Sequence, residues 1–190
     1  MICETSEPRG LCARRIERTD YPLLIRWFKH PKIRATIYDE VCSENSLKRK
    51  IDRLMRCDPF ADAECGLIFE SNGVPVGFLH FMWINWISRT AEVDFFIEPA
   101  EQRPFLGVIA SRKIGQIAFE EFNLHKIYGF MYGFNETSLR FFGGWMKPEA
   151  RLKGYLLRNG NACDVHVTGM LATEYFSQPS VRRTLRKRNA

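Results

Sequence analysis

The chain has 190 residues, 45% of them apolar and 26% charged, with fifteen Phe, six Tyr and four Trp, which suits one globular domain with a full core and excludes a disordered chain. No apolar run approaches the roughly 20 residues of a bilayer span, and Met1–Arg9 has no charged-then-apolar leader pattern; a membrane span and a secreted mini-protein are excluded, and the expectation is a cytoplasmic chain. The net charge is +6, but Arg182, Arg183, Arg186, Lys187 and Arg188 fall in the last nine residues, so the rest of the chain is close to neutral and the basic character is mostly a tail.

In chain order, Leu11 to Ile16 reads as a first strand. Thr19-Asp20 with Pro22 marks a helix start, and Leu23, Leu24, Trp27 and Phe28 follow at helical spacing. Ser43 opens a second helix through Arg56, with Leu47, Ile51, Leu54 and Met55 on its apolar side. Gly66–Glu70, Val74–Asn85 and Thr90–Ile97 then read as an antiparallel meander. Asn72-Gly73 is its first tight turn, because that pair tolerates the positive φ values of a two-residue hairpin. A helix is predicted over 105–122, where Leu106, Ala110, Ile114, Ala118 and Phe122 recur every four residues. Ile127–Tyr132 reads as a buried strand, Asn135 opens a short helix to about Trp145, and Leu152–Leu157 and Asp164–Leu171 flank an Asn159-Gly160 turn. The order β-α-α-β-β-β-α-β-α-β-β predicts one α/β (α+β) domain over residues 1–176 and a basic tail over 177–190. A solvated end outweighs contact of that tail with RNA, ribosomes or anionic lipid.

The six cysteines, at 3, 12, 42, 57, 65 and 163, include no Cys-x-x-Cys pair. They are expected to be reduced thiols that pack as small hydrophobes. His30, His80, His125 and His166 lack metal-ligand spacing. His80, between Leu79 and Phe81, reads as a packed, hydrogen-bonded core residue.

This order, together with four stretches, resembles the GNAT acyltransferase superfamily. Residues 26–34, Arg-Trp-Phe-Lys-His-Pro-Lys-Ile-Arg, resemble the "W-x-x-d-p-x-v-r" segment of the branch that holds ribosomal-protein N-terminal, spermidine and amino-sugar acetyltransferases. Residues 91–99 resemble that branch's fourth strand, and Asn135-Glu136-Thr137-Ser138 its "N-x-x-S" helix start. Residues 146–152 and 159–164 resemble its closing hairpin. The likeness spans roughly residues 11–174. It implies a mixed, mostly antiparallel central sheet whose fourth and fifth strands splay apart, flanked by helices. Acetyl-CoA is then the co-substrate and a primary amine the acceptor. The acceptor is read as a small molecule, such as an amino-sugar nucleotide or polyamine. A protein N-terminus and a non-catalytic acyl-CoA-binding or RNA-associated module are the alternatives, and a homodimer is compatible with all three.

The superfamily's acyl-CoA signature, Arg/Gln-x-x-Gly-x-Gly/Ala, reads here Gln102-Arg103-Pro104-Phe105-Leu106-Gly107, followed by Val108. Its physics is a helix N-terminus whose free N–H groups and dipole hold a pyrophosphate. Phe105 stands where Gly is usual and adds bulk without removing a donor. The resemblance places the thioester beside Phe96, Ile97 and Glu98, with a fourth-strand N–H for the oxyanion, and gives Asn135 a bond to the pantetheine arm, with Ser138 beside it; Asn135 also suits a helix N-cap. Glu92 matches a general base used by some members, with a salt bridge or substrate contact as its alternative. Asp94, two residues on, shares its face if no bulge intervenes. Many relatives carry a Tyr acid where Phe141 and Phe142 stand here, so either Tyr132, Tyr128, Ser138 or water serves the leaving thiolate, or the thiolate leaves unassisted.

Overall fold

In the computed structural model the residues described are 10–36, 43–101, 106–142 and 144–182. Seven strands, β1 (Leu11–Arg15), β2 (Cys65–Ser71), β3 (Val74–Asn85), β4 (Thr90–Ile97), β5 (Lys126–Tyr132), β6 (Lys147–Arg158) and β7 (Asn161–Leu171), form one sheet. Its order is β1-β2-β3-β4-β5-β7-β6. Every neighbouring pair is antiparallel except β4 and β5. The β2–β3 turn places Asn72 at φ 52° and Gly73 at φ 75°, and the β6–β7 turn places Asn159 at 52° and Gly160 at 79°. Both are the positive-φ pairs that the Asn-Gly dipeptides anticipate.

Among the described residues six α-helices flank the sheet: α1 (Tyr21–Lys29), α2 (Pro31–Thr36), α3 (Glu44–Arg56), α4 (Leu106–Gly115), α5 (Glu136–Phe142) and α6 (Ala172–Ser177). Ser43 caps α3 by accepting the Ser46 N–H on its hydroxyl at 3.2 Å. The helix expected over 105–122 is α-helical only to Gly115 and continues as a π-helical stretch, Gln116–Glu121, in which the Phe122 N–H reaches back to the Ile117 carbonyl at 2.8 Å. The wider turn lets Ile117, Ala118, Phe119 and Phe122 all bury, which a regular four-residue repeat does not allow. Three elements exceed the sequence reading. α2 and α6 are additional, and β6 is twelve residues long but mostly exposed, so it lacks the apolar alternation by which strands are recognised.

The sheet separates two cores. One face carries Leu67, Phe69, Leu79, Phe81, Val93 and Ile127 against α4 and the π-helical stretch. The other carries Ile68, Phe78 and Phe96 against Leu24, Trp27, Phe28, Ile51 and Leu54 of α1 and α3. Packed structure also continues past the expected boundary at residue 177. Tyr175 stacks on Phe119, donates its hydroxyl to Glu120 at 2.7 Å, and occupies the space a Cβ at Gly115 would need. Val181 is buried in the same core. The last eight residues, with most of the basic tail, lie outside the described residues. Truncating the Val181 side chain removes about two buried carbons, so Val181→Ala is expected to lower unfolding stability by about 1–2 kcal/mol, read by urea denaturation. A tail that begins at residue 177 would give no change.

Candidate active site

β4 and β5 are hydrogen-bonded neighbours over one short register, Thr90–Glu92 against Lys126–Tyr128. Beyond it, β4 stays with β3 and β5 with β7, and a cleft of about 530 Å³ opens between them. Gly129 is the first residue past the junction, where a Cβ would stand 3.1 Å from the Val93 carbonyl oxygen. The walls are Val93–Ile97 on one side and Gly129–Tyr132 on the other, closed by Leu106 and Gly107 of α4 and by Asn135, Thr137 and Ser138.

Strand alternation decides which groups face the cleft. The Val93 carbonyl points toward Gly129 of β5, whereas the Phe96 carbonyl points toward Gly77 of β3. Residues of odd number therefore turn their peptide groups toward the β5 side and even ones toward β3. Ile97 has the parity for a backbone role toward the cleft. Glu98 does not: its N–H donates to the Val76 carbonyl at 2.8 Å, its carboxylate pairs with Arg26 at 3.2 Å, and it is absent from the cleft wall. Phe96 contributes its ring. Val108 is exposed on α4, away from the wall, whereas Leu106 and Gly107 line it. Gln102, Arg103 and Phe105 lie outside the described residues, as do the side chains of Phe141 and Phe142. Asn135 serves as the expected cap, its Oδ1 accepting the Ser138 N–H at 3.1 Å, and it lines the cleft at the same time.

The side chains of β4 alternate in the same way. Ala91, Val93 and Ile97 point into the α4 core, while Glu92, Asp94 and Phe96 point to the α1–α3 face and line a second cavity of about 250 Å³, together with Tyr132, Phe28, His80 and Lys50. This cavity adjoins the cleft and shares Val93, Asp94, Phe96, Phe130 and Tyr132 with it. Glu92, Asp94 and Tyr132, widely spaced in sequence, are thus brought to one chamber. Burial and, second, the nearby Asp94 charge push the Glu92 carboxyl up to about 7. Tyr128 pairs across from Glu92 and is itself pushed up by burial and by Glu92, so it remains a neutral phenol.

His80 is buried, as expected, but its Nε2 has no hydrogen-bond partner and stands 3.4 Å from Glu64 Oε2. It belongs both to the Glu92 cavity and to a third, wider groove of about 810 Å³ along α3. Sequence reading did not single out Lys50, Phe28, Met82 or the α2 residues Lys32 and Ile33, all of which line these spaces. Only the likeness of residues 26–34 to a family segment pointed to that region. Of the cysteines, Cys57 and Cys65 are buried and free, Cys12 and Cys163 are half-buried, and Cys3 and Cys42 lie outside the described residues; burial pushes the Cys65 thiol up to about 12. Among the described residues no group of acids, His and Cys is arranged to hold a metal ion, and no helix is long and apolar enough to cross a membrane.

A carboxyl raised in the folded chain binds a proton that the unfolded chain has released. Glu92 therefore opposes folding once pH rises above its ordinary range, and fully so above about 7. Glu92→Gln is expected to unfold at a higher temperature than the parent at pH 8, with the gap narrowing toward pH 5. A calorimetric scan showing an equal gap at both pH values would mean that Glu92 is not raised.

Comparison with known proteins agrees with this geometry. No curated protein sequence is a significant match. Among solved structures, spermidine N-acetyltransferase from Vibrio cholerae in complex with CoA and spermine superposes with a TM-score of 0.78 at 22% identity, covering 88% of this chain and 99% of that one. A chimera of the Vibrio cholerae enzyme gives 0.77 at 23% identity over 89% and 99%. Spermidine/spermine N-acetyltransferase from Vibrio cholerae with manganese ions gives 0.73 at 20% over 90% and 97%. At these identities the likeness is one of fold. Residues 11–143 match the acetyltransferase (GNAT) domain family. That match covers more than half of the chain, and the chain belongs to the GNAT family as an acyl-CoA-dependent N-acetyltransferase.

Proposed function

We propose that the protein transfers the acetyl group of acetyl-CoA to the primary amine of a small molecule, with Glu92 as general base. The observation that carries this is a half-buried carboxyl raised to about 7, in a chamber that adjoins the β4–β5 cleft. A base poised near neutral pH accepts a proton most usefully there.

The cleft suits a linear acyl carrier, because past Glu92 the β5-facing edge of β4 borders open space rather than a strand. Leu106 and Gly107 at the start of α4 bring a helix N-terminus, favourable to phosphate, to the same wall. Val93–Ile97 and Asn135 flank the arm, and the Ile97 peptide has the parity to meet the developing oxyanion. The acceptor enters from the α1–α3 side. Glu92 takes a proton from the amine as its nitrogen bonds to the thioester carbonyl carbon. The C–S bond then breaks, its electron pair leaves with sulfur, and the Tyr132 hydroxyl on the opposite wall supplies the proton to the thiolate. Asp94 holds Glu92 high and draws a cationic amine toward the chamber.

Two acceptor classes match a small-molecule reading within the branch of ribosomal-protein N-terminal, spermidine and amino-sugar acetyltransferases. Polyamines are supported by the neighbour solved with CoA and spermine and by the Glu92–Asp94 pair. Amino-sugar nucleotides are supported by Arg49, Arg53 and Arg56 of α3, which border the wider groove.

Glu92→Gln keeps the shape but cannot take a proton, so kcat is expected to fall by about 10²–10⁴-fold near pH 7 with acetyl-CoA affinity retained. The parent's kcat/KM should rise with pH through about 7, as Glu92 ionises, and the variant should lose that limb. A raised acceptor KM at unchanged kcat would make Glu92 a binding residue. Asn135→Ser keeps the helix cap but loses the amide. It is expected to raise the KM for acetyl-CoA with little change in melting temperature, and a lower melting temperature at unchanged KM would leave Asn135 a cap alone.

A further inference from the structure

The acetyltransferase reading leaves the groove of about 810 Å³ without a role, although it opens directly onto the chamber of Glu92 and shares Lys50, His80 and Met82 with it. Resting on that reading, we propose that this groove holds the body of the acceptor, and that the body is anionic: the substrate class is a primary amine carried on a phosphate or diphosphate, with a ring system at its far end.

α3 dictates the charge. Its buried residues, Leu47, Ile51 and Leu54, fix one face against the sheet. Arg49, Arg53 and Arg56, at i, i+4 and i+7, then fall along a single flank that borders the groove. Lys50 joins them at the mouth of the Glu92 chamber, its Nζ held 5.0 Å from the Phe28 ring centroid. The opposing acids are Asp52, Asp62 and Glu64. Glu64 is engaged by Arg53 and faces His80, and Asp62 accepts the Asp58 N–H at 2.8 Å. An N–H contact does not cancel the Asp62 charge, so with the Arg53–Glu64 pair set aside the lining holds Arg49, Lys50 and Arg56 against Asp52 and Asp62, a small positive excess along the α3 flank that favours a phosphate group over a polyamine there.

Two further observations point to a ligand here. His80 is 6% exposed and lines both the groove and the chamber, and its Nε2 has only a loose contact, 3.4 Å to Glu64 Oε2, outside hydrogen-bond geometry. A buried nitrogen so weakly engaged at the junction of two cavities suits a polar atom of something that spans them. At the rim, Trp83 is 73% exposed, and its φ of 52° is a conformation that side chains other than Gly, Asn and Asp rarely adopt. The irregularity in β3 between Met82 and Asn85 turns the indole toward the groove and offers a flat apolar face to a ring. The amine at Glu92, the phosphate along α3 and the ring on Trp83 then form one linear substrate.

The test compares kcat/KM for glucosamine, glucosamine 6-phosphate, UDP-glucosamine and spermidine, by thiol release from acetyl-CoA, in the parent and in the Arg49→Ala/Arg56→Ala double variant. Both side chains are exposed, so folding is not at stake. The phosphate-bearing amines are expected to exceed glucosamine by about tenfold or more, in line with a charge-assisted contact, and that ratio should fall toward one in the double variant. Preference for spermidine over the phosphate-bearing amines, or a ratio unmoved by the substitutions, would overturn the proposal. A calorimetric titration of UDP, at saturating CoA so that the cofactor cleft is filled, reads the groove apart from catalysis. Binding weakened about tenfold or more in the double variant supports the anionic groove even if no amine is acetylated, in which case the transferase reading fails instead. No UDP binding at millimolar concentration overturns the groove assignment whatever the turnover.

Discussion

Everything functional in this protein depends on how briefly β4 and β5 pair. A parallel contact over Thr90–Glu92 and Lys126–Tyr128 joins the two halves of the sheet. Beyond it each strand keeps its outer partner, so the sheet parts without either strand losing its place. The parting does what a continuous sheet cannot: it opens the middle of the sheet, so that backbone and side chains of both strands border one cleft. Gly129 sits where the strands begin to separate, close under the Val93 carbonyl.

The same junction sets the electrostatics. Glu92 is the last β4 residue in the paired register, and Tyr128 stands across from it. The aromatic packing of Phe28, Phe78 and Phe96 makes its surroundings poor in water, which disfavours the charged carboxylate; Asp94 adds a like charge on the same strand face. A residue that opposes folding when ionised is kept where a base near neutral pH is useful, the usual relation between strained electrostatics and active sites. Asp20 shows the contrast. It too is buried, which alone would raise its carboxyl, but Arg14 grips both of its oxygens and the Glu17 N–H adds a third contact, so it is held below the usual range. Burial with a partner holds a carboxyl ionised, and burial beside a like charge holds one protonated to higher pH.

The three spaces lie in a row, the cofactor cleft, the Glu92 chamber and the α3 groove, each sharing residues with the next. The chamber is the smallest of the three, and the charged side chains of α3 and the exposed indole at the β3 irregularity lie outside it, along the groove.

Local chemistry was enough to read much of this from the amino-acid order. Asn-Gly pairs, the Ser43 cap, alternation in the meander and the spacing of α3 are short-range signals, and they located both tight hairpins, β3, β4 and α3 to within a residue or so. The shared face of Glu92 and Asp94 followed from strand alternation, because β4 has no bulge. What failed locally was set by distant partners. The π-helical turn of 116–121 exists to bury three consecutive side chains, β6 is a strand because β7 pairs with it, and Val181 belongs to the fold because a core surface awaits it. Glu98 looked equivalent to Ile97 in a motif, yet strand parity turns its N–H to Val76. The raised carboxyl of Glu92, the meeting of His80 with Glu64 and the joining of α3's basic flank to the Glu92 chamber were decided only in three dimensions. Burial and cavity continuity are properties of residues brought together from far apart, and no window of sequence contains them.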